Sequence, residues 1–251
     1  MTEFLRHSLE VYFLENKAEA DNAFDDALPI LYDYRRNRES LLLDDKILTS
    51  WNALMIAAFS LLYRVTGKAD YLTAARNANR FIEENLTDGG RLFVSWRNGE
   101  RRINGLLDDY AFYAAALILL FESTADRDYL RKAAAFCREA MDQFADRENG
   151  GYKLNGRYNE PLVLTPRETY DGAVPSGNAM LAYAFVRLSQ LSDDAVWQRA
   201  ADEQLSFLSG EAKGHPAGHS MFLLALLIHR NPPPTVTVVL PSGVTPDDIS
   251  G

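Results

Sequence analysis

The 251 residues carry 26 Lys and Arg against 35 Asp and Glu, a formal charge of −9. This excludes the basic footprint that a nucleic-acid backbone requires. The single cysteine, Cys137, excludes an internal disulfide, a CxxC redox pair and a cysteine zinc site, while 47% hydrophobic content suffices for a packed core.

The first twenty residues include Glu3, Arg6, Glu10, Glu15 and Lys17, so no apolar signal core is present there, and no later apolar run approaches the roughly twenty residues of a membrane span. The expectation is a soluble cytoplasmic protein with no nucleic-acid or membrane partner, no metal and no cofactor. Residues 3–17 and about 20–38 read as two helices. Arg35, Arg36 and Arg38, like Arg97, Arg101 and Arg102 further on, read as solvated basic faces.

From Trp51 an apolar helix runs through Leu54, Met55, Ala58, Phe59, Leu62 and Tyr63, with its other faces also apolar, which predicts burial nearly all round. Tyr71 to Leu86 then reads as an amphipathic helix that covers it. The pair recurs without gaps: "SWNALMIAAFSLLYRVTGKADYL" lies on "DDYAFYAAALILLFESTADRDYL", Tyr71 falling on Tyr129, and the same frame continues into "PSGNAMLAYAFVRLSQLSDDAVW", Leu130 falling on Trp197. A fourth apolar helix, "HSMFLLALLIHR", follows without a clear cover. Repetition at this spacing marks stacked supersecondary units. Between the units, "DGGRLFVSWRNGE" and "NGGYKLNGRYNE" each predict a small β-hairpin at an Asn-Gly turn. Beyond residue 230, "NPPPTVTVVL" breaks the pattern with three prolines and a β-rich run. Residues 1–230 are thus expected to form one helical-hairpin array, all-α apart from small hairpins, with 231–251 a Pro-rich linker and a short β segment.

Each inner helix opens on a polar motif: "LDDKILTSWN", "NGLLDDY", "YDGAVPSGN" and "GHPAGHS". If parallel inner helices ring a centre, these starts share a rim, bringing Asp45, Asp109, Asp171 and His219 together. Capping explains an Asp at a helix start with no function. It accounts less well for Trp51, Asn52, Tyr110, Tyr170, Ser176 and Asn178 beside the acids, a mixture that suits a hydroxyl-rich ligand, with rings on apolar sugar faces and amides or acids on hydroxyls. Adjacent acids cannot both point inward; within Asp108 and Asp109 the repeat frame favours Asp109. Ser176 lacks the GxSxG surroundings of a nucleophile. Cys137 lies on an apolar stripe and reads as core.

The motifs "DDKILTSWNALMIAA", "INGLLDDYAF" and "YDGAVPSGNAML", in this order, resemble the helical part of the YyaL-type proteins, the family that includes the spermatogenesis-associated thioredoxin-fold proteins. The resemblance runs from about Leu42 to Leu191 and more weakly to Leu240. It implies an α/α toroid related to the six-hairpin glycosidases and the N-acylglucosamine 2-epimerases, here incomplete and without the family's N-terminal thioredoxin-like domain. Two functions compete. One is a carbohydrate-active domain, a sugar hydrolase or epimerase in which Asp45, Asp109, Asp171 and His219 supply acid–base chemistry. The other is a non-catalytic scaffold whose rim binds a partner, through self-association or contact with a missing thioredoxin-like domain.

Overall fold

The computed structural model describes residues 17–38 and 43–234. The helix expected over residues 3–17 and the β-rich run of the C-terminal segment lie outside the described residues. The chain forms two compact units, Met1–Asp45 and Lys46–Gly251.

In the first unit, α1 (Lys17–Arg36) contains Pro29. Its arginines lie over neighbouring rings, Arg36 over Tyr32 at 5.7 Å and Arg38 over Tyr34 at 4.8 Å. That is the solvated face expected of them, stacked on local aromatics. Residues 43–46, exposed and outside any helix or strand, include Asp45.

The second unit contains the repeat. Its helices are α2 (Thr49–Thr66), α3 (Ala69–Asn85), α4 (Leu107–Thr124), α5 (Arg127–Phe144), α6 (Gly177–Leu191), α7 (Ala195–Ala212) and α8 (Ser220–Arg230). The even-numbered helices pack side by side in the order α2, α4, α6, α8, and α3, α5 and α7 cover α2, α4 and α6 in turn. The pattern dictates this arrangement. Every residue of α4 from Tyr110 to Leu120 is buried, so only a position with neighbours on all sides satisfies it. The outer α5 buries just one stripe, including Ala133, Cys137, Ala140 and Phe144. Burying a side chain such as Phe112 or Leu117 contributes about 1.5–3 kcal/mol, and these residues form the bulk of the core. Burial also pushes the Cys137 thiol up, which makes it an inert core residue.

A short antiparallel sheet joins the first two hairpins. β1 (Ile47–Leu48) and β2 (Thr87–Asp88) both pair with β3 (Arg91–Arg97), which also pairs with β4 (Glu100–Asn104). The β3–β4 turn is the Asn98-Gly99 step read from the sequence, with φ of 53° and 84°, the left-handed pair that a two-residue hairpin needs. The second expected hairpin does not form. Only a single bridge, Ala145 to Tyr152, remains there. The Asp146 carboxylate captures the N–H groups of Glu148 and Asn149, and Leu154 N–H goes on to the Pro166 carbonyl, so this backbone is bonded locally and across the loop.

All four inner helices start at one end of the unit and are stitched at both ends. At the C-terminal end, Glu122 of α4 accepts from Arg64 of α2 at 2.6 Å and from Arg187 of α6 at 2.5 and 2.9 Å, while Gln190 of α6 donates to the Ile228 carbonyl of α8. The N-terminal end holds the candidate site.

Candidate functional site

Asp109 is the third residue of α4, and its carboxylate folds back as an acid at that position does. Oδ2 accepts the N–H of Leu106 at 2.9 Å, and Oδ1 crosses to the start of α2 to accept the N–H of Ser50 at 3.1 Å. Asp171 repeats the device one step on. Its Oδ1 accepts Ser176 N–H at the start of α6 (2.8 Å), and its Oδ2 accepts Met221 N–H at the start of α8 (2.7 Å). Between them, Asp108 of α4 accepts the N–H of Gly177, the first residue of α6. A Cβ at Gly177 would lie 2.4 Å from Asp108 Oδ1, so this close approach requires glycine. Three carboxylates thus chain the four helix starts together, each placed where the helix dipoles favour a negative charge.

Asp109 thus reaches the starts of α2 and α4, and Asp171, in the loop before α6, reaches the starts of α6 and α8. Asp45 lies in the first unit. Of the two adjacent acids, the repeat frame favours Asp109 as the inward one, and Asp109 is the more deeply buried. Asp109 is buried with both oxygens on backbone N–H groups, whereas Asp108 is only half-buried and has the exposed Glu168 as its acidic neighbour. Burial, then the Glu168 charge, raise the Asp108 carboxyl to about 6 against the pull of the Gly177 N–H. Burial and the neighbouring Asp108 charge raise Asp109 to about 7, opposed by its bonds from Leu106 and Ser50.

Several companions have structural work. Tyr110, expected as a stacking platform, is buried instead. Its ring packs on Phe136 and Phe144, and its hydroxyl accepts from Leu92 N–H and the Gln143 amide. Asn52 donates to the Leu48 carbonyl at its own helix start. Ser176 is the N-cap of α6, accepting from Ala179 N–H and donating to the Thr169 carbonyl. Asn178 is fully buried with its amide saturated: Oδ1 accepts from Tyr152 N–H and Gln204, and Nδ2 donates to the Tyr152 and Glu168 carbonyls. It thereby pins the loop that carries Glu168. His219 is buried, with Nδ1 3.0 Å from the His215 carbonyl; a proton on Nδ1 leaves Nε2 as the basic nitrogen. The exposed Tyr170 ring lies parallel to His215 at 6.2 Å and edge-on to His219 at 6.2 Å. Trp51 is 63% exposed on α2.

Asp108 and Glu168 lie outside the candidate residues read from the sequence. The signal for Asp108 was its place one residue before an acid at the third helical position, which leaves it free to point along the rim. Arg167, next to Glu168 in the chain, turns to the Gly150 carbonyl and to Asp146. Among the described residues, no group of three or more His, Cys, Asp and Glu is placed to hold a metal ion, and no helix is long and apolar enough to cross a membrane.

No family model matches the sequence. Spermatogenesis-associated protein 20 of Rattus norvegicus is 31% identical over 179 residues, which cover 66% of this chain and 23% of that protein. An uncharacterised protein of Caenorhabditis elegans is 28% identical over 221 residues, covering 85% of this chain and 30% of that one. These relatives support a spermatogenesis-associated protein 20-like family.

The chain spans only 23 to 30% of the length of the relatives it matches. Among solved structures, a family 76 glycoside hydrolase (mannosidase) of Bacteroides thetaiotaomicron superposes with a TM-score of 0.63 at 14% identity, over 75% of this chain and 56% of that one. Cellobiose 2-epimerase of Spirochaeta thermophila gives 0.54 at 22% identity, over 65% and 43%. An inactive variant of the α-1,6-mannanase of Salegentibacter sp. HEL1_6, with two consecutive aspartates changed to asparagine and α-1,6-mannotriose bound, gives 0.53 at 16% identity, over 64% and 47%. These likenesses show an α/α-toroid fold.

Proposed function

We propose that the rim of the inner helices is an acid–base site for a saccharide, with Asp108 handling the proton and Glu168 as its partner. The observation that carries this reading is the Asp108 carboxyl itself: half-buried, set on the start of α6, beside a second acid, and raised to about 6. A carboxyl in that range can give a proton to a leaving oxygen and take one back near neutral pH. Paired carboxylates are what glycoside hydrolysis uses, while epimerisation needs bases on opposite faces of one carbon, for which the His219 Nε2 is available. The sugar-processing toroids support the saccharide class, and the mannanase made inactive by changing consecutive aspartates supports an acid pair like Asp108-Asp109 as functional. Within this reading Asp109 and Asp171 brace the rim, and Tyr170 offers an exposed ring to a sugar face.

The bonds of Asp109, Asp171, Ser176 and Asn178 favour a second reading, a non-catalytic scaffold within a larger thioredoxin-domain protein, because each carries its load without a ligand. A panel of mono- and oligosaccharides separates the two. Under the first reading one or more sugars raise the melting temperature, and Asp108→Asn and Glu168→Gln abolish the shift while remaining folded. A panel without any shift supports the scaffold.

A further inference from the structure

We propose that copies of this chain associate head to tail, the α2 edge of one copy packing on the α8 edge of the next, with Trp51 entering the pocket beside α8. Among the described residues, the inner row of the second unit has two unmatched faces. On α2, Trp51, Met55, Ala58, Leu62 and Val65 follow one another at helical spacing, and all are exposed. On α8, Leu223, Leu224 and Leu227 are 40%, 43% and 60% exposed. Contiguous apolar surface of this kind marks an interface.

The repeat says what each face is for. The frame that sets Tyr71 on Tyr129 sets Trp51 on Asp109, Met55 on Tyr113, Leu62 on Leu120 and Val65 on Ser123. In α4 those positions meet the preceding hairpin: Asp109 takes Ser50 N–H, Tyr113 donates to Asn79, and Ser123 donates to the Ser60 carbonyl. The next frame sets Leu120 on Arg187, which again bonds backward, to Glu122. The stripe on α2 is therefore the backward face of an inner helix.

The α8 leucines are the forward face. Counted from the helix starts, Leu224 and Leu227 stand where Ala53 and Ile56 stand in α2, both wholly buried on the side whose Ser60 meets α4. The α2–α4, α4–α6 and α6–α8 contacts each join a forward face to a backward one, and the two left over are the halves of one more such contact. At its N-terminal end, Trp51 takes the place of Asp109, which touches the second residue of the neighbouring helix. In α8 that residue is Met221, and beside it lies a pocket of about 300 Å³ lined by Val174, Pro175, Met221 and Leu224. Its lining is largely apolar, with Asp171 and Ser220 also in its walls, and suits an indole. Such a contact uses different surfaces on the two partners, so it extends to rings or filaments.

Two edge variants test it. Met55→Glu/Leu62→Glu removes the backward face and Leu224→Glu/Leu227→Glu the forward one; circular dichroism confirms that both fold. In sedimentation and light scattering over a hundredfold concentration range, the full chain is expected to associate and each variant to remain monomeric. Their mixture is expected to form a 1:1 pair through the one intact face of each, with a blue shift in tryptophan emission that is lost when Trp51→Phe is added. Trp51→Ala alone is expected to weaken association at least tenfold. A monomeric full chain at every concentration overturns the proposal and leaves these faces to other hairpins. So does a single-edge variant that self-associates like the parent, since the contact would then join like faces.

Discussion

Asp109 Oδ1 accepts the backbone N–H of Ser50 at 3.1 Å, so a carboxylate buried in α4 completes the first turn of α2. Asp171 does the same for α8 through Met221. A helix start leaves N–H groups without intrahelical partners, and here the neighbouring inner helix or its approach loop supplies the acceptor. The polar density of "YDGAVPSGN" follows from this. Ser176 caps its own helix, Asn178 pins two loop segments, and Asp171 serves two helices at once.

Both carboxylates therefore require two acceptor oxygens. Asn in place of Asp keeps one and turns an N–H₂ group toward the other backbone N–H, leaving that donor unpaired. Asp109→Asn and Asp171→Asn are each expected to cost about 1–3 kcal/mol, the usual penalty for an unmade hydrogen bond in a desolvated place. Urea unfolding measures it. Stabilities within a few tenths of a kcal/mol of the parent would show that these bonds are dispensable.

The raised carboxyls predict a pH dependence of stability. Asp108 and Asp109 hold their protons to about 6 and about 7 in the folded chain but ionise from 3.8 when unfolded. Between those limits the folded state binds more protons, so stability falls as pH rises through about 4 to 7 and then levels. Each group contributes a slope of at most ~1.4 kcal/mol per pH unit. Asp108→Asn is expected to flatten the part below about pH 6, leaving the Asp109 share. Unfolding midpoints of parent and variant from pH 4 to 8 supply the test, and parallel curves would refute the assignment.

The helical hairpins were legible because burial writes itself into sequence: α4 is apolar on every face and α5 on one, which fixes which is inside. The Asn98-Gly99 turn was legible for a similarly local reason, two left-handed residues in a row. The direction of Asp108 was not, since it depends on Gly177 and Glu168, some sixty to seventy residues away. Tyr110 misled because a tyrosine beside an acid looks the same whether its hydroxyl meets a sugar or, as here, Leu92 and Gln143. The missing second hairpin was not legible because its expected first strand bonds to other segments: Lys153 N–H to the Phe144 carbonyl, Leu154 N–H to the Pro166 carbonyl, and the Leu154 carbonyl to Leu107 N–H.

The repeat also exposes a local strain. Gly67 ends α2 in the left-handed conformation at φ 69°, its N–H on the Tyr63 carbonyl; Ala125 ends α4 in the same way at φ 56°, its N–H on the Phe121 carbonyl. A Cβ in that region costs about 1–2 kcal/mol, partly offset in a variant by the greater freedom of unfolded glycine. Ala125 is exposed, so no packing is lost. Ala125→Gly is expected to stabilise the protein by roughly 0.5–1 kcal/mol, and Gly67→Ala to destabilise it by a similar amount. Thermal and urea midpoints check both, and an unchanged or lower stability of Ala125→Gly would mean that the cap carries no strain.

The Asp108–Glu168 pair makes the sharpest claim, because its test needs no substrate. Burial is the larger cause of the raised Asp108 carboxyl and the Glu168 charge the next, while the Gly177 N–H opposes both. Replacing Glu168 with Gln removes one cause and leaves the other. The Asp108 titration midpoint, followed by carbon NMR of the side-chain carboxyl, is therefore expected to move down from about 6 without reaching the ordinary 3.8. Because Glu168 is exposed, added salt should produce part of the same shift in the parent and almost none in the variant. Asn178→Ala frees the Glu168 carbonyl and should scatter the acid away from Asp108, giving a smaller downward shift with both acids still present. A midpoint that ignores Glu168→Gln would uncouple the two carboxyls and remove the basis for reading them as a working pair.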